Sequence, residues 1–172
     1  MKNPITPNQL ETRFEDSKLL VSKTDPKGVI TYCNPAFIEV SGYSEAELLG
    51  KQHNIVRHPD MPRVIFSLMW ESLQNNREFN GYIKNMTKTG GFYWVFANVT
   101  PDFSLDHQLE GYYSVRRKPD SDKLDYINQL YSELKEIEAQ HRGQEAIDAA
   151  RFKLDSTLNA REMGYDEFIL SL

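Results

Sequence analysis

Apolar residues alternate with polar ones, or recur every three to four positions, in separate stretches of the chain. Leu19–Thr24 and Val29–Cys33 read as strands, and Asp25-Pro26-Lys27-Gly28 between them is a turn signal, so the pair predicts a hairpin. Asn34 is placed to cap a helix that starts at Pro35, because proline is tolerated in a first helical turn. Phe37, Val40 and Tyr43 then fall three apart, the spacing of a buried helical face. Ser44 and Glu47 form a capping-box pattern that opens a second short helix, Glu45–Leu49, closed by Gly50. Residues 53–60 predict a loop or a single turn. A longer helix follows from Pro62 to Asn75, with Ile65, Met69 and Leu73 on one face and Phe66 and Trp70 beside them. Three strands come next, Phe79–Met86, Phe92–Pro101 and Gly111–Arg117, the first two joined by a hairpin turn at Lys88-Thr89-Gly90-Gly91.

Two strands, several helices and three more strands predict an α+β class with an antiparallel sheet and helices on one face. Three parts are expected: a polar arm over residues 1–18, a sheet-and-helix unit over 19–118 and a helical tail over 119–172. The arm carries Pro4 and Pro7 and either a short helix or an extended stretch around Leu10–Phe14. In the tail, Ile127, Leu130, Leu134 and Ile137 form an amphipathic stripe. Gly143 interrupts it, and a second helix carries Ile147, Leu154 and Leu158. Gly164 ends that helix, and Asp166 is placed to cap a last turn holding Phe168, Ile169 and Leu170. The stripe points first to dimerisation or docking on a partner, and second to packing back on the domain.

Composition narrows the function classes. The 172 residues are 40% hydrophobic and 26% charged, with a net charge of -5. A sequence-independent nucleic-acid binder would show a basic face, and clusters such as Arg116-Arg117-Lys118 are too short to reverse the bulk charge. No apolar run approaches the roughly 20 residues that span a bilayer. No signal peptide is visible, so the expectation is a cytoplasmic protein. Cys33 is the sole cysteine, which rules out an intramolecular disulfide and a cysteine metal cage, and it reads as a small buried hydrophobe. Phosphate-loop and nucleophile-elbow motifs are absent, and the Gly90-Gly91 pair belongs to a turn. No general acid–base pair or second substrate site stands out, so an enzyme is not expected.

The segment from Ile30 to Pro62, ITYCNPAFIEVSGYSEAELLGKQHNIVRHPDMP, carries a resemblance. Its Asn34-Pro35-Ala36-Phe37 and Ser41-Gly42-Tyr43-Ser44 elements are similar to those of PAS domains. The stretch His53–Pro62 is more specific, and the match continues through Phe66, Met69-Trp70, Gly81–Asn85, Gly91–Asn98 and Gly111–Arg116. Over roughly residues 15–117 the chain resembles the PAS sensor domains of the aerotaxis-receptor type. The resemblance implies a PAS fold, with a five-stranded antiparallel sheet and a pocket between the sheet and the short helices. It also implies FAD held non-covalently there, its redox state read as oxygen level or respiratory status.

The residues offer groups of the kind a dinucleotide flavin needs. Arg57 has the fork geometry that matches phosphate. His58 is placed to stack or hydrogen-bond, and Asp60 to accept from ribose or brace Arg57. The resemblance points to these three as needed for FAD. On the residues alone, Asp60 also reads as a cap for the helix after it, and His58 as an exposed loop residue. Asn85, on the same strand face as Ile83, offers an amide to a flavin edge, and Asn34 offers the same or serves only as a helix cap. Trp70 is the better candidate contact of the two tryptophans, with Trp94 read as core. Phe79 stands where the family pattern has tryptophan, so an aromatic is kept and any indole-specific role is lost.

Two other ligands occur in PAS domains. Light-sensing PAS domains carry a flavin-reactive cysteine in an Asn-Cys-Arg motif, and the comparable region here, Asn54–Arg57, has none. FMN is separated from FAD only by the resemblance. Haem needs an axial donor, for which His53 and His58 are conceivable while His107 and His141 lie in a turn and the tail. The expected function is therefore an FAD-binding redox or oxygen sensor that passes its signal to an unidentified partner protein, probed against a ligand-free dimerisation module and a haem gas sensor. A homodimer is expected, with neither nucleic acid nor membrane insertion.

Overall fold

The computed structural model describes residues 5–172. The first four residues of the expected arm, Pro4 among them, lie outside the described residues. Five strands, β1 (Leu20–Thr24), β2 (Ile30–Cys33), β3 (Phe79–Met86), β4 (Phe92–Phe103) and β5 (Leu109–Arg117), form one antiparallel sheet in the order β2-β1-β5-β4-β3. The α+β expectation holds, with strand ends moved by one or two residues and β4 and β5 extended toward their shared turn.

Between β2 and β3 run α1 (Pro35–Ser41), α2 (Glu45–Leu48), a single 3-10 turn (His53–Val56) and α3 (Arg63–Gln74). Local signals set these boundaries. The Asn34 side chain accepts the Phe37 N–H and starts α1, and the Ser44–Glu47 capping box starts α2. Gly28, at φ +80°, closes the β1–β2 turn in a conformation that disfavours other residues.

The arm is extended. Its Thr12 N–H donates to the Phe92 carbonyl at 2.7 Å, and Phe92 N–H returns a bond to Leu10 at 2.8 Å. Glu11 thus bridges Phe92 in a parallel sense, beside the start of β4 that β5 does not reach. Gly90, at φ +89°, is required where the arm crosses the β3–β4 turn, since a Cβ there would strike the Thr6 carbonyl.

After β5 come α4 (Ser121–Gln140), α5 (Gly143–Asn159) and α6 (Tyr165–Ser171). The short connection at 141–142 makes α4 and α5 neighbours, and they pack against α3 while α6 packs on β3. Ile127, Leu130, Leu134, Leu154 and Leu158 are buried in the same apolar cluster as the sheet. The tail stripe is therefore covered by the chain itself, the packing-back alternative. Gly164, not Asp166, is the N-cap of α6, and Leu170 stays 62% exposed.

Docking of the tail is specific. Tyr131 donates its hydroxyl to the Tyr82 carbonyl at 2.8 Å, and its ring lies 6.2 Å from that of Trp94. Arg151 of α5 pairs with Glu71 of α3 at 2.8 Å. The buried Glu138 of α4 accepts the Val64 N–H at 2.9 Å. That bond supplies α3 with the cap its own N-cap, Pro62, cannot give. The expectation that Asp60 caps α3 is not met.

Candidate functional site: a cavity between sheet and helix α3

Strand register fixes which side chains face the short helices. Asn85 pairs with Tyr93, Ala97 with Arg116, Val99 with Ser114, and Ser114 with Ser22. Paired residues share a face, so these side chains form the inner face of the sheet. Above it lies α3, whose Phe66, Met69, Trp70 and Leu73 recur at helical spacing along one side. The two surfaces enclose a cavity of about 220 Å³ that also takes in His53, Asn54 and Arg57 from the turn before α3.

Its chemistry is an aromatic and aliphatic slot with polar groups at the edge. Trp70 meets the Tyr112 ring edge-on at 5.4 Å, making one wall. The Arg57 guanidinium lies 4.0 Å from the Phe66 ring centroid, a cation–π contact. Burial lowers its pKa, and it stays cationic. Arg57 and Asn85 are joined by a backbone bridge that holds the loop against the edge of β3. The two residues are thus fixed side by side on the wall.

Of the expected contacts, the structure brings Arg57, Trp70 and Asn85 together on the cavity. The other four are elsewhere. His58 is buried beneath the loop, with its Nδ1 accepting the Asp60 N–H at 3.1 Å. Burial and the nearby Lys84 charge lower its pKa, so it is neutral at pH 7. Asp60 binds Lys84 at 2.6 Å. Asn34 has both ends of its amide engaged: Oδ1 accepts from Val21 and Phe37, and Nδ2 donates to Leu19. It acts here as a cap and a strand clasp, away from the cavity lining. Phe79 is fully buried and stacks on Tyr165 of α6 at 5.8 Å.

His53, in sequence only a conceivable haem donor, is a polar residue of the lining. Its ring stacks on Phe37 at 5.8 Å, and its Nε2 lies 3.0 Å from Ser22 Oγ and 3.3 Å from Arg116 Nη1. Burial first, and the Arg116 charge second, hold its pKa down to about 3. An Nε2 engaged in this way is not free for an axial metal bond. Thr24, Gly28, Gln52, Val99, Tyr112 and Ser114 complete the lining. Period-two alternation along β5 could have flagged Tyr112 and Ser114, but only pairing shows which parity faces inward.

A family model described as the PAS fold matches residues 30–116. The chain belongs to the PAS family. Within it, the chain is 39% identical over 126 residues to the aerotaxis receptor of Escherichia coli, covering 73% of this chain and 25% of the receptor. It is 33% identical over 111 residues to the nitrogen fixation regulatory protein of Klebsiella pneumoniae, covering 64% and 22% respectively. It therefore spans about a quarter of the length of these curated relatives. A solved PAS domain from Colwellia psychrerythraea superimposes with a TM-score of 0.54 at 23% identity, over 59% of this chain and 86% of that one. The expected PAS fold of aerotaxis-receptor type is thus met. Among the described residues no helix is long and apolar enough to cross a membrane, and no cluster of side chains is arranged to hold a metal ion.

Proposed function

We propose that this PAS domain binds FAD in the cavity under α3 and reports the flavin's redox state, and hence oxygen or respiratory status, to a partner signalling protein. The observation that carries the reading is the joining of Arg57 and Asn85 on one wall of an aromatic slot formed by Trp70, Phe66 and Tyr112. A flat apolar cleft with a few fixed polar groups is the chemistry of a ring-cofactor site. At about 220 Å³ the cavity is below the ~300–1,000 Å³ of drug-sized sites, so it suits the ring system. The phosphate arm then lies outside the slot, and Arg57 is the lining residue that carries a positive charge toward it. The similarity to an aerotaxis receptor supports the same reading.

In this arrangement Asn85 presents an amide that both donates and accepts, so it can match either protonation state of a ring edge. Trp70, Phe66 and Met69 exclude water from the ring faces. When bound, a flavin supplies reversible electron uptake with a change of charge and protonation. His58 and Asp60 act at one remove, holding the loop that carries Arg57. A signal follows only if the two redox states differ in their contacts with this wall, and the covalent path from it leads through β5 into α4.

The test is an absorption spectrum of the purified chain, followed by chromatography of the released chromophore. Bands at about 370 and about 450 nm with FAD released support the reading. Release of FMN corrects the cofactor, and a Soret band would replace flavin with haem. A colourless chain that also fails to take up added FAD leaves a PAS interaction module.

A further inference from the structure

Arg116 heads the fully buried side chains by size, at 2% exposure. None of its hydrogen bonds reaches a carboxylate. Nη2 donates to Ser22 Oγ at 2.6 Å, Nη1 to His53 Nε2 at 3.3 Å, and Nε to the Leu20 carbonyl at 3.3 Å. The Phe37 ring centroid lies 4.3 Å away. The ionisable neighbours Tyr93 and Cys33 are both pushed up by burial, so neither is an anion at neutral pH. The buried hydroxyl of Tyr43 has no hydrogen-bond partner among the described residues. Burial brings the arginine down to about 10, which still leaves it charged. An ion buried without a counter-charge is strongly unfavourable, and folded proteins avoid it unless something offsets the cost.

The position of this charge indicates what offsets it. Arg116 lies two residues from the cavity-lining Ser114 on the same strand face, a step of about 7 Å. His53 lies between the two, touching Arg116 on one side and the cavity on the other. A guanidinium only donates, so His53 Nε2 must accept and the ring proton must sit on Nδ1. His53 is thereby kept neutral. The positive charge behind the wall belongs to Arg116 alone and does not titrate in the working pH range.

We propose that Arg116 is the fixed counter-charge for the reduced, anionic state of a flavin in the adjoining cavity, and so raises that flavin's reduction potential. The inference rests on the flavin reading above. The oxidised ring is neutral and gains little from the cation. Two electrons from a reductant and one proton from water give a reduced ring with one negative charge, which the buried cation attracts across a medium that screens it poorly. Binding energy that differs between two states shifts their balance.

The test compares the full chain with Arg116→Met and Arg116→Lys, each reconstituted with FAD and titrated with dithionite against a reference dye. Arg116→Met is expected to favour the reduced flavin at least tenfold less, a fall of about 30 mV for a two-electron couple. Arg116→Lys keeps the charge and is expected to stay much closer to the parent. A second readout needs no flavin: thermal melts of the apo-proteins should show Arg116→Met as stable as the parent or more so, because it removes an unpaired buried ion. If Arg116→Met takes up no FAD, Arg116→Gln makes the same comparison without the charge. A parent chain that binds no flavin overturns both readings. Flavin bound with an unchanged potential in the neutral variants overturns this one alone.

Discussion

Opposite faces of one sheet each bury a cation against an aromatic ring, and the two are treated differently. On the outer face, Lys84 sits 4.5 Å from the Phe92 ring centroid and is neutralised by Asp60 at 2.6 Å. Burial works to raise the Asp60 pKa, but the hydrogen bond and charge of Lys84 more than offset it and hold the carboxyl below its usual value. On the inner face, Arg116 sits 4.3 Å from the Phe37 centroid with neutral partners only. The outer region holds an ion pair, the arm and the docked tail, with hollows between them lined by Trp94 and Lys84. The inner region keeps an uncompensated charge beside its cavity, which costs stability. The difference between the two faces is whether the buried cation has a carboxylate partner.

The largest expected effect comes from opening the outer face. Trp94→Ala is predicted to lose about 3–5 kcal/mol of stability, because Trp94 is buried between β4 and Tyr131 of the tail. Denaturant melts would show it, and a loss under about 1 kcal/mol would mean the tail does not close this face. On the inner face, Trp70→Ala is predicted to abolish flavin uptake with a smaller loss of stability, since Trp70 borders a cavity rather than filling the core. The same melts with and without FAD separate the two tryptophans.

Next in size is Asn34→Ala. It removes the acceptor for Val21 and Phe37 and the donor to Leu19, and should cost about 1–2 kcal/mol. Flavin content per folded chain should not change. A selective loss of flavin would restore Asn34 to the site. Asp60→Ala should cost about 1–2 kcal/mol by leaving the Lys84 ammonium unpaired. Any effect of that change on flavin should scale with disorder of the 57–60 loop, read by proteolysis, rather than appear as a lost contact.

A pH dependence of similar size is expected as well. His53 and His58 both have pKa values below that of an unfolded histidine, His53 at about 3. The unfolded chain therefore binds more protons below about pH 6.5. Stability is complete above that value and falls as the pH drops toward the folded pKa, by at most about 1.4 kcal/mol per pH unit for each residue. Replacing His53 with phenylalanine should flatten this slope in urea melts at pH 7 and pH 5. An unchanged slope would show that the ring is not held neutral.

Much of this was legible in the sequence. The short-range signals, Asn34 with Pro35, Ser44 with Glu47, and the turns at Gly28 and Gly90, act over a few residues and are written locally. The period-3 and period-4 stripes named α3, α4 and α5, and the motif at His53–Pro62 pointed to the loop carrying Arg57. Asn85 and Trp70 were also visible, one by strand parity and one by its place on α3. What failed was long-range assignment. Arg116 looked like one member of a surface basic cluster, yet consecutive strand residues face opposite ways, so it is buried while Arg117 is exposed. The cap of α3 came from Glu138, 74 residues away, where no local pattern could reveal it.

The sequence by itself determined the elements, their order and the PAS resemblance, because propensity, capping and hydrophobic period act between near neighbours. Only the tertiary structure decided that the tail stripe covers the chain's own sheet, that Asn34 is engaged by the backbone, and that a bare cation lies behind the cavity wall. Those outcomes depend on strand register and on which apolar face finds which partner, and both are fixed by contacts between residues far apart in the chain.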